Sequence, residues 1–157
     1  MADRPRCYVA SPLGFNEAGA VYYREHYLPA LARVVEPVDP WAQVAPSEVE
    51  RAREQGTLRL LWLATGRRNL ELIRSAPLLA AWLDGQEVDS GTATEIGYAA
   101  ATGARCFGLR SDLRRTGEEQ MAVNLQVEAT IEASGGRVVE SLDALVEALR
   151  AAVADGL

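Results

Sequence analysis

Apolar and polar positions alternate in blocks along the chain. Residues 6–10, Arg-Cys-Tyr-Val-Ala, form a short apolar run that stops at Ser11-Pro12, where proline ends a strand and a loop begins. From Glu17 to about Val34 the spacing of Val21, Leu28, Leu31 and Val35 predicts a helix that Pro29 should bend or split. Val35 to Val38 reads as a weak second strand, followed by a loop over 39–45 that carries Trp41. Ser47 and Glu50 have capping-box spacing, so a charged helix is expected to begin there and to end near Gly56. Residues 58–64 and 69–76 look like two helical pieces parted at Thr65-Gly66 by a glycine cap. The most hydrophobic stretch, Pro-Leu-Leu-Ala-Ala-Trp-Leu over 77–83, is expected to be a strand covered by helices on both faces. A polar loop over 84–91 and a small-residue helix from about Thr92 to Thr102 come next. Then follow a strand over 105–109, a charged connection over 110–123, a helix over 125–134, a short strand over 137–139 and an amphipathic helix from Ser141 to about Val153.

Strand and helix therefore alternate over the whole length. The pattern implies an α/β fold: one domain spanning 1–157, with a doubly wound, mostly parallel five-stranded sheet of the Rossmann or flavodoxin type flanked by helices. Ligands in such folds bind beyond the carboxyl ends of the strands, where the loops at 11–16 and 84–91 are expected to lie. The 157 residues, 48% hydrophobic, suffice for one core with a pocket on its surface. With 22 acidic against 16 basic residues and a formal charge of -6, the chain lacks the electrostatic footprint of a protein that grips polymeric nucleic acid or anionic lipid. Cys7 and Cys106 sit among strand-like residues, as buried thiols of a reducing compartment do. One histidine and no CxxC pair give no reason to expect a metal, and no cofactor is implied. The first residues are short and polar and no apolar run is long enough to span a membrane, so the chain reads as cytoplasmic.

The chemistry concentrates in residues 84–99, Asp-Gly-Gln-Glu-Val-Asp-Ser-Gly-Thr-Ala-Thr-Glu-Ile-Gly-Tyr-Ala. Neither GxGxxG nor a Walker loop is present, which disfavours dinucleotide and nucleoside triphosphate enzymes. Instead two carboxylates, Asp89 and Glu95, flank a small-residue turn at Gly91 that allows close approach of a ligand. Glu95 is expected in the first turn of a helix, where the positive dipole end favours its ionised form. Such a carboxylate can attack an anomeric carbon or stabilise an oxocarbenium ion. Thr92 and Glu95 also have the spacing of a capping box, which alone would account for the glutamate, and Asp89-Ser90-Gly91 is ordinary turn composition. The residues by themselves lead to a candidate pocket and leave the reaction open.

The segment from Leu83 to Gly103, with Leu-Asp-Gly, then Val-Asp-Ser-Gly-Thr-Ala-x-Glu-Ile-Gly-Tyr-Ala, resembles the core of the nucleoside 2-deoxyribosyltransferases. Tyr8-Val9-Ala10-Ser11-Pro12-Leu13 and Asn124-Leu125 fall in the same family order. The resemblance implies transfer of a 2-deoxyribosyl group between nucleobases of free deoxynucleosides, with Glu95 as the nucleophile that forms a covalent glycosyl ester. It implies that Tyr8 orients that carboxylate and that Asp89 holds the sugar's 5′ hydroxyl. It also implies that Asn124 reaches the same hydroxyl from a neighbouring subunit, making the protein at least a homodimer with shared active sites. Phe15, on the loop after the first strand, has two readings, simple packing or stacking on a base. Trp41, Trp62 and Trp82 read as core or interface residues, and His26 as a surface one.

The chain departs from the family pattern in places. An acidic position handling the base falls on Asn69, which can donate and accept hydrogen bonds but cannot protonate a leaving base. Pro77 stands where relatives often have aspartate, and Gln126 where they often have methionine. Two other functions compete with transfer: hydrolysis of nucleosides or nucleoside 5′-monophosphates, and nucleotide binding without catalysis. Phosphate-handling relatives tend to carry serine where this chain has Asp89, and a carboxylate there would repel a phosphate by several kcal/mol, on the order expected in a shielded site.

Overall fold

The computed structural model describes residues 4–156. Five strands form one sheet: β1 Arg6–Ala10, β2 Glu36–Val38, β3 Leu78–Trp82, β4 Arg105–Leu109 and β5 Arg137–Val139. Their order is β2-β1-β3-β4-β5 and every pair is parallel. The order reverses between β1 and β3, so that boundary is the switch point at which a doubly wound sheet opens a crevice.

Because successive side chains on a strand point to opposite faces, the apolar strands supply two cores. Cys7, Val9, Leu78, Ala80, Phe107 and Leu109 face α1 (Glu17–Tyr22), α2 (Leu28–Leu31) and α7 (Leu142–Ala154), where they meet Tyr27, Leu31 and Leu149. Tyr8, Ala10, Leu79, Ala81 and Cys106 face the other layer. That layer comprises α4 (Leu58–Arg74), α5 (Ser90–Ala101) and α6 (Leu125–Ala133), which contribute Ile73, Ile96, Ala99 and Ile131. A further helix, α3 (Pro46–Glu54), packs on α4. Both cysteines are buried and free, and burial pushes their thiols up, Cys106 to about 11.

Four local expectations are corrected. The first helical run is continuous from Glu17 to Leu31, with no break at Pro29. Proline cannot donate to the carbonyl four residues back and crowds it. The chain answers by widening Tyr23–Tyr27 into a π turn, in which the Leu28 N–H reaches the Tyr23 carbonyl. The next helix starts at Pro46, one residue before Ser47, with the Glu48 carboxylate accepting from the Ala45 N–H at 2.9 Å. Proline needs no N–H partner at the first helical position, so it takes the start that the serine spacing suggested. Residues 58–74 form one uninterrupted helix, since Gly66 keeps helical geometry amid good helix formers. Helix α5 begins at Ser90 with Asp89 as its cap, two residues before the expected start at Thr92.

Two glycines separate space from propensity. A Cβ at Gly136 would lie 1.6 Å from the Cys106 carbonyl oxygen, whereas one at Gly66 would meet nothing within 4 Å. Gly136→Ala is therefore expected to lose about 1–3 kcal/mol or more of stability by forcing β5 off β4. Gly66→Ala should gain about 0.5–1 kcal/mol. Urea denaturation of the two variants beside the parent checks both signs.

Candidate active site

Tyr8 is the third residue of β1 and is fully buried, its ring lying on the face that α5 covers. Its hydroxyl donates to Glu95 Oε1 at 2.5 Å, joining β1 to the helix across the switch point. Glu95 is the sixth residue of α5, in the second turn rather than the first. The helix dipole acts chiefly within the first turn, so the expected stabilisation of the ionised form does not apply. Burial dominates instead and raises the Glu95 carboxyl to about 7; the Tyr8 hydrogen bond pulls it down and nearby Asp89 pushes it up again. The Tyr8 hydroxyl is itself held well above the usual tyrosine range, first by burial and then by the charge of Glu95, so it remains a donor.

Asp89 caps α5 from the loop after β3. Its Oδ2 accepts from the Thr92 N–H at 2.9 Å and from the Thr92 hydroxyl at 3.2 Å. Both bonds fall on one oxygen, which leaves Oδ1 for a ligand. Thr92 is thus held by the cap and does not supply it, and the S/T-x-x-E spacing with Glu95 is not a capping box.

These groups meet in one cleft of about 390 Å³, of a size that admits a small ligand. Asp89, Gly91, Thr92 and Glu95 line one side. Phe15, Trp41, Trp62 and Asn69 line the other, together with Ser11 and Thr65. Phe15 is 73% exposed and stands edge-on to Trp41 at a centroid distance of 4.7 Å. Trp41 is pinned by its indole N–H, which donates to the Ser11 carbonyl at 3.1 Å, and by Asp39, which accepts from its backbone N–H at 2.9 Å. Asn69 accepts a hydrogen bond from the Gln43 amide, and Gln43 Oε1 is buried without a partner among the described residues.

The fold thus gathers Tyr8, Phe15, Asn69, Asp89, Gly91 and Glu95 around one crevice. Asn124 is not among its lining residues; it is exposed and caps α6, its side chain accepting from the Gln126 N–H at 2.9 Å. Trp41 and Trp62, read as core or interface residues, line the cleft, and Trp82 packs against Tyr22 and Tyr27. Gln43 was not singled out by the sequence. Its only signal there was a place on the loop after β2, itself a carboxyl end of a strand. Among the described residues, no three His, Cys, Asp or Glu side chains lie close enough to hold a metal ion. Nor is any helix among them long and apolar enough to cross a membrane.

The raised Glu95 carboxyl has a thermodynamic consequence of definite sign. An unfolded glutamate titrates near 4.5 and the folded one near 7, so the folded chain binds the extra proton between those values. Below about pH 4.5 the group is neutral in both states; as pH rises through 7 the folded state comes to bear the full cost of a buried charge. Glu95→Gln keeps an acceptor for Tyr8 and removes that charge. It is expected to be more stable than the parent at about pH 8, by on the order of 3 kcal/mol, with the gain gone by about pH 4. Denaturant titrations across this range measure the difference.

Comparison with known proteins places this geometry in a family. The model of the nucleoside 2-deoxyribosyltransferase family matches residues 7–148. No curated protein matches the sequence. Among solved structures, a conserved protein from Enterococcus faecalis V583 is similar over 95% of this chain and 99% of its own, at 24% identity and a TM-score of 0.65. A 2-deoxyribosyltransferase from the psychrotolerant Bacillus psychrosaccharolyticus is similar over 90% of each chain, at 20% identity and a TM-score of 0.60. A CMP N-glycosidase from Clostridium botulinum shares the fold over 90% of this chain and 95% of its own, at 14% identity and a TM-score of 0.53. At these identities the structures establish the fold alone, and the match of the family model over almost the whole length establishes the rest: the chain belongs to the nucleoside 2-deoxyribosyltransferase family.

Proposed function

We propose that the chain transfers the 2-deoxyribosyl group between nucleobases of free deoxynucleosides, with Glu95 as the nucleophile. The observation that carries this reading is the Tyr8 hydroxyl held at 2.5 Å from a largely buried Glu95 carboxylate beneath an aromatic cleft. A Glu95 oxygen bonds to the anomeric carbon as the bond from that carbon to the base breaks, and the base leaves with the electron pair and takes up a proton. A ring nitrogen of a second base then attacks the same carbon. The ester bond breaks, its electron pair returns to the carboxylate, and the incoming nitrogen sheds its proton. Tyr8 fixes which carboxylate oxygen faces the sugar. Attack requires the ionised form, so a carboxyl near 7 makes the rate rise through neutrality.

The two sides of the cleft suit the two halves of a nucleoside. Phe15, Trp41 and Trp62 offer flat apolar surface to the base, and the Asn69 amide, its oxygen held by Gln43, offers its N–H groups to the base edge. Asp89 has one uncommitted oxygen for the 5′ hydroxyl. The same carboxylate disfavours the 5′-monophosphate, and this separates the reading from the hydrolysis of CMP named for the Clostridium botulinum neighbour. Incubating the protein with a deoxynucleoside and a second free base should yield the exchanged nucleoside. Glu95→Ala should lower that yield by several orders of magnitude while remaining folded. Retention of half the parent rate would mean the glutamate is only structural.

In this reading a neighbouring subunit supplies Asn124, whose side chain does not line the cleft of its own chain. Leu60, Trp62, Leu63 and Leu70 expose apolar surface on α4, the helix that carries part of the cleft wall, and a second copy would find purchase there. Glu95→Ala and Asn124→Ala chains, each inactive alone, should recover roughly one quarter of parent activity after dissociation and random reassociation, because half the dimers carry one intact site. Confirmed exchange without recovery would place Asn124 outside the site.

A further inference from the structure

The Leu83-Asp84-Gly85 triplet lies outside the cleft, and neither the chemistry nor the substrate contacts above use it. Its partner is Arg110, the residue that follows β4. Arg110 is only 4% exposed, yet its bonds go to backbone carbonyls and not to a carboxylate. Nη1 donates to Leu83 at 2.6 Å and to Gly85 at 2.9 Å, and Nη2 donates to Arg114 at 2.6 Å. Asp84 reaches in the opposite direction. Its carboxylate accepts from the Ser111 N–H at 2.6 Å, the Ser111 hydroxyl at 2.5 Å and the Asp112 N–H at 2.9 Å. The loops after β3 and β4 are therefore stitched twice, once by a cation reaching one way and once by an anion reaching the other.

We propose that Arg110 and Asp84 are positioning residues that set the Gly85–Asp89 loop, and through it the carboxylate of Asp89, for recognition of the sugar's 5′ hydroxyl. The inference rests on the reading of Asp89 given above. Desolvating a guanidinium is expensive and an apolar residue would fill the space more cheaply, so the cation has to be explained by what it holds. The planar fork spans carbonyls from two loops, a geometry a lysine ammonium cannot reproduce. Arg110 is itself anchored, because its N–H donates to the Val139 carbonyl at 2.8 Å on β5. Gly85 adopts a φ of 139°, and a Cβ there would lie 3.0 Å from the Glu87 carbonyl, so the conformation that turns its carbonyl to Arg110 favours glycine. Three residues separate Gly85 from Asp89, and Asp89 caps the helix that carries Glu95. A shift of the loop reaches the 5′-hydroxyl subsite first and the nucleophile only through the cap.

The test compares a deoxynucleoside with its 5′-deoxy analogue, which lacks the hydroxyl. The parent is expected to prefer the hydroxylated substrate by about tenfold to a hundredfold in kcat/KM, the range for a hydrogen bond to a charged group. Asp89→Ala should abolish that preference. Arg110→Met should cut it by about tenfold, through a raised KM for the hydroxylated substrate, while turnover of the 5′-deoxy analogue stays within about threefold of the parent. Arg110→Lys should not restore it. If Arg110→Met fails to accumulate, Asp84→Asn and Gly85→Ala carry the same comparison. Full preference in these variants, with only a lower melting temperature, would overturn the clamp and leave the Asp89 reading standing. Full preference in Asp89→Ala would overturn both.

Discussion

The hydrogen bond from Tyr8 to Glu95 is the contact on which the rest of the site depends. It fixes a buried carboxylate whose other neighbours, apolar core and a second carboxylate, both disfavour its charge. Remove the hydroxyl, and burial and the Asp89 charge act on Glu95 unopposed. Tyr8 can play this part because it stands on an inner strand, in a register fixed on both sides by β2 and β3. The strand contributes rigidity and the helix contributes reach, and the crevice between them is where the sheet changes direction.

The electrostatics of the site are those of controlled cost. A glutamate raised to about 7 is half-protonated near neutrality, so the folded chain tolerates it without a compensating cation. Asp89 uses one oxygen as a helix cap, where two donors meet it. Two carboxylates six residues apart thus have different partners, one a tyrosine hydroxyl from the sheet and the other the first turn of its own helix. That division suits a nucleophile and a substrate anchor.

Much of this was legible in the residues. The alternation of apolar runs and helical spacing gave all five strands, and the motif around Glu95 gave the family. What the sequence hid was set by competition between local signals. Ser47 looked like a cap, but the neighbouring Pro46 needs no N–H partner and takes the helix start. Gly66 looked like a stop, but it lies inside a helix of seventeen residues whose mostly strong helix formers outvote it. Thr92 looked like a cap because its spacing to Glu95 fits, whereas Asp89, three residues earlier, has the better acceptor. Trp41 and Trp62 could not be assigned to the cleft, since an indole on a loop or helix has the same pattern whether it faces a core or a ligand. The link between Arg110 and Leu83 was invisible because backbone carbonyls leave no trace in residue identity.

The cleft is divided along the chain as well as in space. Every aromatic or amide residue on its wall precedes β3, and every carboxylate follows it. On the proposed reading, the glycosidic bond to be broken lies across that divide. Tyr8 apart, the first half of the sequence then holds what departs and what arrives, and the second half holds what stays attached. Selection acting on base choice can work on residues 11–69 without disturbing the part of the protein that handles the sugar, so drift in substrate range and constancy of chemistry become separable around a single sheet.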